Sequence, residues 1–295
     1  MAARTSQAVT RGLRLPYVGT KFRPMSHDAI RPREPAINMP GLVLGSILVL
    51  LAIQLGREWL SPTTDLHLLF DAGFVPARWS LIFGYATPDE IVAAASADIG
   101  DADVAAAHTA LAQFVVANGG AGLFSGLTYA LLHGSWMHVI LNCVWLAAFG
   151  SPVVRRCGPG RTIVLALATT IGAVLVHWII NPLSSQVVIG ASGAVSGFMG
   201  AAALFAFGRP DPRERWRETP QVERTGLAGL LRNRSALFFL GTWFVINLLV
   251  GLASQPLGIA EGGIAWQAHI GGLVTGLLVF PFLDPVGRNP PDKRP

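Results

Sequence analysis

Six stretches of this chain, near residues 40–56, 134–154, 161–180, 190–207, 235–254 and 265–283, approach the roughly 20 apolar residues a helix needs to cross a bilayer. Lipid offers no water to the backbone, so each spanning segment must close its own hydrogen bonds, and all six are expected as helices. The first is short unless it extends by a few residues. An all-α polytopic membrane protein is therefore expected. Composition agrees, since 52% hydrophobic and 13% charged residues with a mean hydropathy of +0.49 are too apolar for an ordinary soluble domain.

Charge bias orients the spans, because Lys and Arg accumulate on the cytoplasmic side. Seven of the 22 lie in residues 1–39, three in the 155–161 turn, seven in the 208–234 loop and three in the tail, leaving only Arg57 and Arg78 for the opposite side. That opposite side holds acids that include Asp65, Asp71, Asp89, Glu90, Asp98, Asp101, Asp103 and Glu261. Both termini are thus expected in the cytoplasm, of a bacterial plasma membrane in preference to an organelle. The net basic charge is explained by topology, and no nucleic-acid partner is expected. Cys143 falls in an apolar run and Cys157 in a basic loop, so no disulfide framework is expected.

Three regions follow. Residues 1–39 are expected to be a disordered, basic, cytoplasmic segment; their first 27 residues lack any acid, which a mitochondrial presequence would share. Residues 40–283 form the membrane domain, with a long external first loop at 57–133. Residues 284–295 are a cytoplasmic tail. The loop interleaves Trp59, Phe70, Phe74, Trp79, Phe83 and Phe124 with glycines, a pattern that fits either an element lying at headgroup depth or a small external subdomain with a helical Pro88–Asn118.

Ser192 opens the fourth span between glycines, and His269 lies a few residues into the sixth. Both enter from the outer side and share a depth. Serine is a weak nucleophile until a base takes its proton, and neutral histidine is the usual base. No Asp or Glu occurs within any span, so such a pair would act as a dyad. Small residues line both helices: Ser192, Ser196 and Gly200 in one row, Gly193 and Gly197 beside it, and His269, Gly272 and Gly276 on one face of the sixth span. Such faces let membrane helices approach closely.

The second span contributes His138 and Asn142, one turn apart on a helix that Ser135 is placed to cap. Both can donate to an oxyanion, with the Ser192 backbone N–H as a third donor. His133 is read as bracing the external loop, His177 as an interfacial anchor beside Trp178, and Asn247 as an interhelical tie or a group satisfied by water. No H-E-x-x-H motif and no membrane aspartate pair is present. A zinc set of His133, His138 and His269 stays conceivable, but neither a metal nor any other cofactor is expected.

Taken in order, His133-x4-His138-x3-Asn142, Gly190-x-Ser192-Gly193 and Ala268-His269-x2-Gly272-x3-Gly276 on the second, fourth and sixth spans resemble the rhomboid family of intramembrane serine proteases. The resemblance covers roughly residues 124–283. It implies a six-helix bundle, Ser192 as nucleophile, His269 as general base, His138 and Asn142 as the oxyanion pair and His133 as a structural brace. The substrates it implies are transmembrane segments of other proteins, cut near the outer face. Two positions depart from the family pattern. Phe124-Ser125 stands where many members carry Trp-Arg, and Ser196 stands where some carry a tyrosine stacked on the catalytic histidine. The rival readings are an inactive rhomboid-like binder of transmembrane segments and a small-solute channel or transporter.

Overall fold

The computed structural model describes residues 39–97, 99–208, 224–253 and 265–286. The expectations for the basic N-terminal segment, Asp98, most of the 208–234 loop, Glu261 and nearly all of the tail lie outside the described residues. Within them the protein is all-α: α1 Gly41–Arg57, α2 Pro62–Ala72, α3 Pro76–Ile82, α4 Pro88–Ala94, α5 Ala102–Ala117, α6 Trp136–Cys157, α7 Pro159–Ile180, α8 Ser192–Ala206, α9 Leu227–Arg232, α10 Arg234–Ala253 and α11 Trp266–Leu283. Extended pairing among the described residues is confined to a single antiparallel bridge between Phe74 and Val188.

Each of the six apolar stretches carries one long helix. By length and composition α6, α7 and α11 are long and apolar enough to cross a membrane; α1 and α8 are shorter, with 17 and 15 residues. The α6 helix widens into a π-helical turn at Leu146–Gly150, just before Pro152, whose missing N–H cannot complete a regular ladder.

α8 and α11 form the centre of the bundle. Nearly the whole of α8 from Gly193 to Leu204 is buried, and α11 lies against both α7 and α8. Glycine makes this possible. A Cβ on Gly272 would fall onto the Gly193 carbonyl, and one on Gly276 onto the Gly197 carbonyl, so the two backbones touch along this seam. The apolar core continues around it through Val139, Leu146, Val153, Leu165, Val195, Phe198 and Phe280.

The first loop is itself folded. Ser61 caps α2, Asp101 caps α5, and Thr87 with Glu90 forms a reciprocal capping box at α4, where the hydrogen bonds from the Thr87 backbone and hydroxyl hold the Glu90 carboxyl below its usual value. Phe70, Val75, Ala77, Ile91, Ala112 and Val115 make a separate core between these helices. Trp59, Tyr85 and Phe124 stay exposed at 80%, 65% and 76%. The segment thus has an apolar core of its own and carries exposed aromatics on its surface.

A buried charge cluster closes the opposite end of α11. Asp284 is fully buried and accepts two hydrogen bonds of 2.9 Å from Arg156, whose guanidinium also lies 4.8 Å from the Phe205 ring centroid; Arg224 approaches to 3.4 Å. The last turn of α6, which bears Arg156, and the segment bearing Arg224 therefore meet the start of the tail at one end of the bundle. Removing the carboxylate takes the bidentate acceptor away from the buried Arg156 guanidinium, so Asp284→Ala is expected to destabilise the fold by about 3–5 kcal/mol, read as thermal unfolding in detergent.

Candidate active site

Ser192 and His269 come together at the end of the bundle remote from Asp284, about 22 Å along α11 at 1.5 Å per residue. The His269 Nε2 lies 2.8 Å from the Ser192 Oγ, and both side chains are half-buried. Two things position the pair. The glycine seam sets the spacing of α8 and α11, and the approach to α8 is tied down by Gly190 N–H donating to the Tyr129 carbonyl at 2.9 Å and Ala191 N–H donating to His133 Nε2 at 3.3 Å.

His133 is almost wholly buried, and its ring meets that of His138 edge-on at 4.9 Å. Its carbonyl also accepts from Arg57, which forms a two-pronged ion pair with Asp65 at 2.6 and 2.8 Å. The end of α1, the end of the first loop and the approach to Ser192 are thereby linked through one histidine.

His138 sits in the first turn of α6, where Ser135 Oγ caps its N–H at 3.2 Å. Its Nδ1 accepts from Gly134 N–H at 3.4 Å, which leaves the proton on Nε2. That nitrogen points at Gly190. A Cβ there would lie 2.8 Å from His138 Nε2, and the backbone φ of +119° is one that only glycine adopts without strain. Asn142 is buried one turn further along α6 and uses one amide hydrogen to reach the His138 carbonyl at 2.9 Å. Among the described residues its second amide hydrogen meets no acceptor.

Asn247 is the residue the sequence reading undervalued. Its Oδ1 lies 2.6 Å from His269 Nδ1, while its Nδ2 donates to the Trp243 carbonyl of its own helix at 2.9 Å. It is a tie between helices, as expected of a polar residue in an apolar span, yet the group it ties is the imidazole. The only sequence signal was an amide in a segment that otherwise needs none. Ser196 turns back to donate to the Ser192 carbonyl at 2.7 Å.

The loop departure at Phe124-Ser125 has a local answer. Arg78 and Trp79, from α3, are both buried: Arg78 donates to the Phe70 carbonyl, and Trp79 donates to the Gly122 carbonyl at 3.4 Å while its ring packs against Phe74 and Trp178. An arginine and a tryptophan brace the loop from a different place in the chain. Burial lowers the Arg78 pKa from its ordinary value, opposed by the charge of Asp71. His177, read as an interfacial anchor, is instead buried and interacts with Gln267 of α11; the close packing of α7 on α11 draws it inward. Among the described residues no group of His, Cys, Asp and Glu side chains has the arrangement of a metal site.

Comparison with known proteins gives a consistent picture. Residues 121–284 match the model of the Rhomboid domain. The chain is 29% identical over 157 residues to Rhomboid protease GlpG of Serratia proteamaculans, covering 53% of this chain and 47% of that protein. It is 29% identical over 169 residues to Rhomboid protease GlpG of Pectobacterium atrosepticum, covering 57% and 51%. The protein of the same name from Klebsiella pneumoniae is 29% identical over 150 residues, covering 51% and 45%. The chain thus spans about half the length of these curated relatives.

Proposed function

The chain belongs to the rhomboid family, and from that premise we propose that it is a serine endopeptidase that hydrolyses a peptide bond within or beside the transmembrane helix of another membrane protein. The observation that carries this reading is the 2.8 Å contact between Ser192 Oγ and His269 Nε2. Ser192 attacks the scissile carbonyl while His269 takes the hydroxyl proton. The carbonyl oxygen becomes an oxyanion, which in this reading accepts from His138 Nε2–H, the second Asn142 amide hydrogen and the Ser192 N–H. Collapse breaks the C–N bond, and His269 returns the proton to the leaving amine. Water, activated by the same histidine, then hydrolyses the acyl-enzyme and restores Ser192. No cofactor enters these steps.

A transmembrane helix already hydrogen-bonds its own carbonyls, so the substrate must unwind locally before Ser192 can reach one. Segments of weak helical propensity are the favoured substrates. Charge bias supports a site at the outer side with both termini cytoplasmic, and a bacterial plasma membrane is the location preferred over an organelle. A binder of transmembrane segments would have no use for a hydrogen-bonded Ser192 and His269, which weighs against the inactive alternative.

The test presents a labelled transmembrane peptide containing small, helix-destabilising residues to the purified protein in detergent, with product masses read out. Wild type is expected to give two fragments whose masses correspond to cleavage at one peptide bond. His138→Ala is expected to slow turnover by roughly 100- to 1000-fold, the usual cost of one oxyanion donor. Intact peptide across a panel of such substrates, with folded protein, contradicts the reading.

A further inference from the structure

We propose that Asn247 is a positioning residue for His269: its amide oxygen fixes the proton on Nδ1 and so presents a bare Nε2 to Ser192. This rests on the proposed serine-protease reading and adds a third member to its dyad. Imidazole has two tautomers, and only the one with its proton on Nδ1 can accept from Ser192. An acceptor at Nδ1 selects that tautomer. In the spans, which hold no carboxylate, the 2.6 Å contact with Asn247 Oδ1 supplies it.

The direction of the amide is set by its own helix. Because Nδ2 donates to the Trp243 carbonyl one turn back, Oδ1 is the end left to face His269. An amide free to flip would present either a donor or an acceptor; this one is committed. A neutral amide also suits the setting, since a buried carboxylate in a membrane interior carries a far larger desolvation cost.

The helix that brings Asn247 is the outermost part of the arrangement. Phe238, Phe244, Val245, Ile246 and Leu249 of α10 are exposed at 42–77%, and the face turned inward carries Ala236, Trp243, Asn247 and Gly251. Gly251, one turn after Asn247, lies so close to Trp266 that a Cβ would come within 2.7 Å of its ring, just as Asn247 meets His269 three residues later on α11. These two adjacent contacts set the register of α10 on α11. The polar one reaches the proposed base.

A purely structural tie between helices would strengthen the bundle and leave the imidazole indifferent, so the test must separate the two. Asn247→Leu removes the acceptor and keeps the bulk; Asn247→Asp restores an oxygen acceptor. Nitrogen-15 NMR of the imidazole, assigned against His269→Gln, is expected to show the Nδ1–H tautomer in wild type and Asn247→Asp, and a mixture in Asn247→Leu. Single-turnover cleavage is expected to fall on the order of 100-fold or more in Asn247→Leu with KM unchanged, and Asn247→Asp is expected to recover most of it. An unchanged tautomer and rate in Asn247→Leu overturns the proposal, as does a loss explained by a parallel fall in Tm that Asn247→Asp does not reverse. The NMR arm needs no turnover, so inactivity of the wild type would contradict the protease reading while the tautomer still decides the role of Asn247.

Discussion

Ser192→Ala is expected to lower cleavage by roughly 10⁴- to 10⁶-fold while leaving Tm within a degree or two of wild type, by comparison with other serine proteases. The expectation follows from how little else Ser192 holds. Its backbone carbonyl keeps the Ser196 hydroxyl, and the α8–α11 seam is built from glycine backbone, so the side chain's bond to His269 is what the substitution removes. His269→Ala is expected to cost about as much, because a hydroxyl without its base and a base without its hydroxyl are equally inert. The double variant should then be no slower than either single one, since the two groups act as a unit. Cleavage rates for the four proteins, each checked for folding by thermal unfolding, test this. Losses that multiply would contradict it.

Gly272→Val is expected to damage both fold and activity. A branched side chain at this position has no room, because the Gly193 carbonyl occupies the space where its Cβ would sit. The obstacle is backbone and cannot rotate aside, so α8 and α11 must separate. Overpacking of this kind costs about 1–3 kcal/mol or more. Ser192 lies immediately before Gly193 and His269 one turn before Gly272, so the separation falls directly on the 2.8 Å contact. A displacement near 1 Å at a reacting pair is worth about 100-fold in rate, and that loss should persist at temperatures where the variant remains folded. Gly241→Ala is the control: a Cβ there meets nothing within 4 Å, and the variant should match wild type in both measurements. A Gly272→Val protein with wild-type turnover would show that the seam does not set the spacing of the pair.

These two cases also show what was legible in the sequence. Hydropathy located every long helix of the bundle, because the demand that lipid makes on a backbone is written residue by residue. The small faces of α8 and α11 were legible for the same reason, since spacing along one helix determines which residues share a face. Partnerships between helices were less accessible. Nothing local to Asn247 says that α10 will lie beside α11 in the register that meets His269. Arg78 and Trp79 brace the first loop from a point some 45 residues before the position where family resemblance directs attention. Asp284 reads as an ordinary acid after the last span until Arg156 and Arg224 fold onto it. In each case the missing information was tertiary: a polar group whose partner is distant in the chain gives no periodic signal.

The central claim is that Ser192 is a nucleophile activated by His269, and active-site labelling tests it without knowledge of the substrate. The purified protein, in detergent and folded by thermal unfolding, is treated with a fluorophosphonate, digested, and mapped by mass spectrometry. The account predicts a phosphonyl adduct on Ser192 that His269→Ala nearly abolishes. Folded wild-type protein that stays unlabelled, or an adduct on Ser192 that forms equally fast without His269, would contradict it.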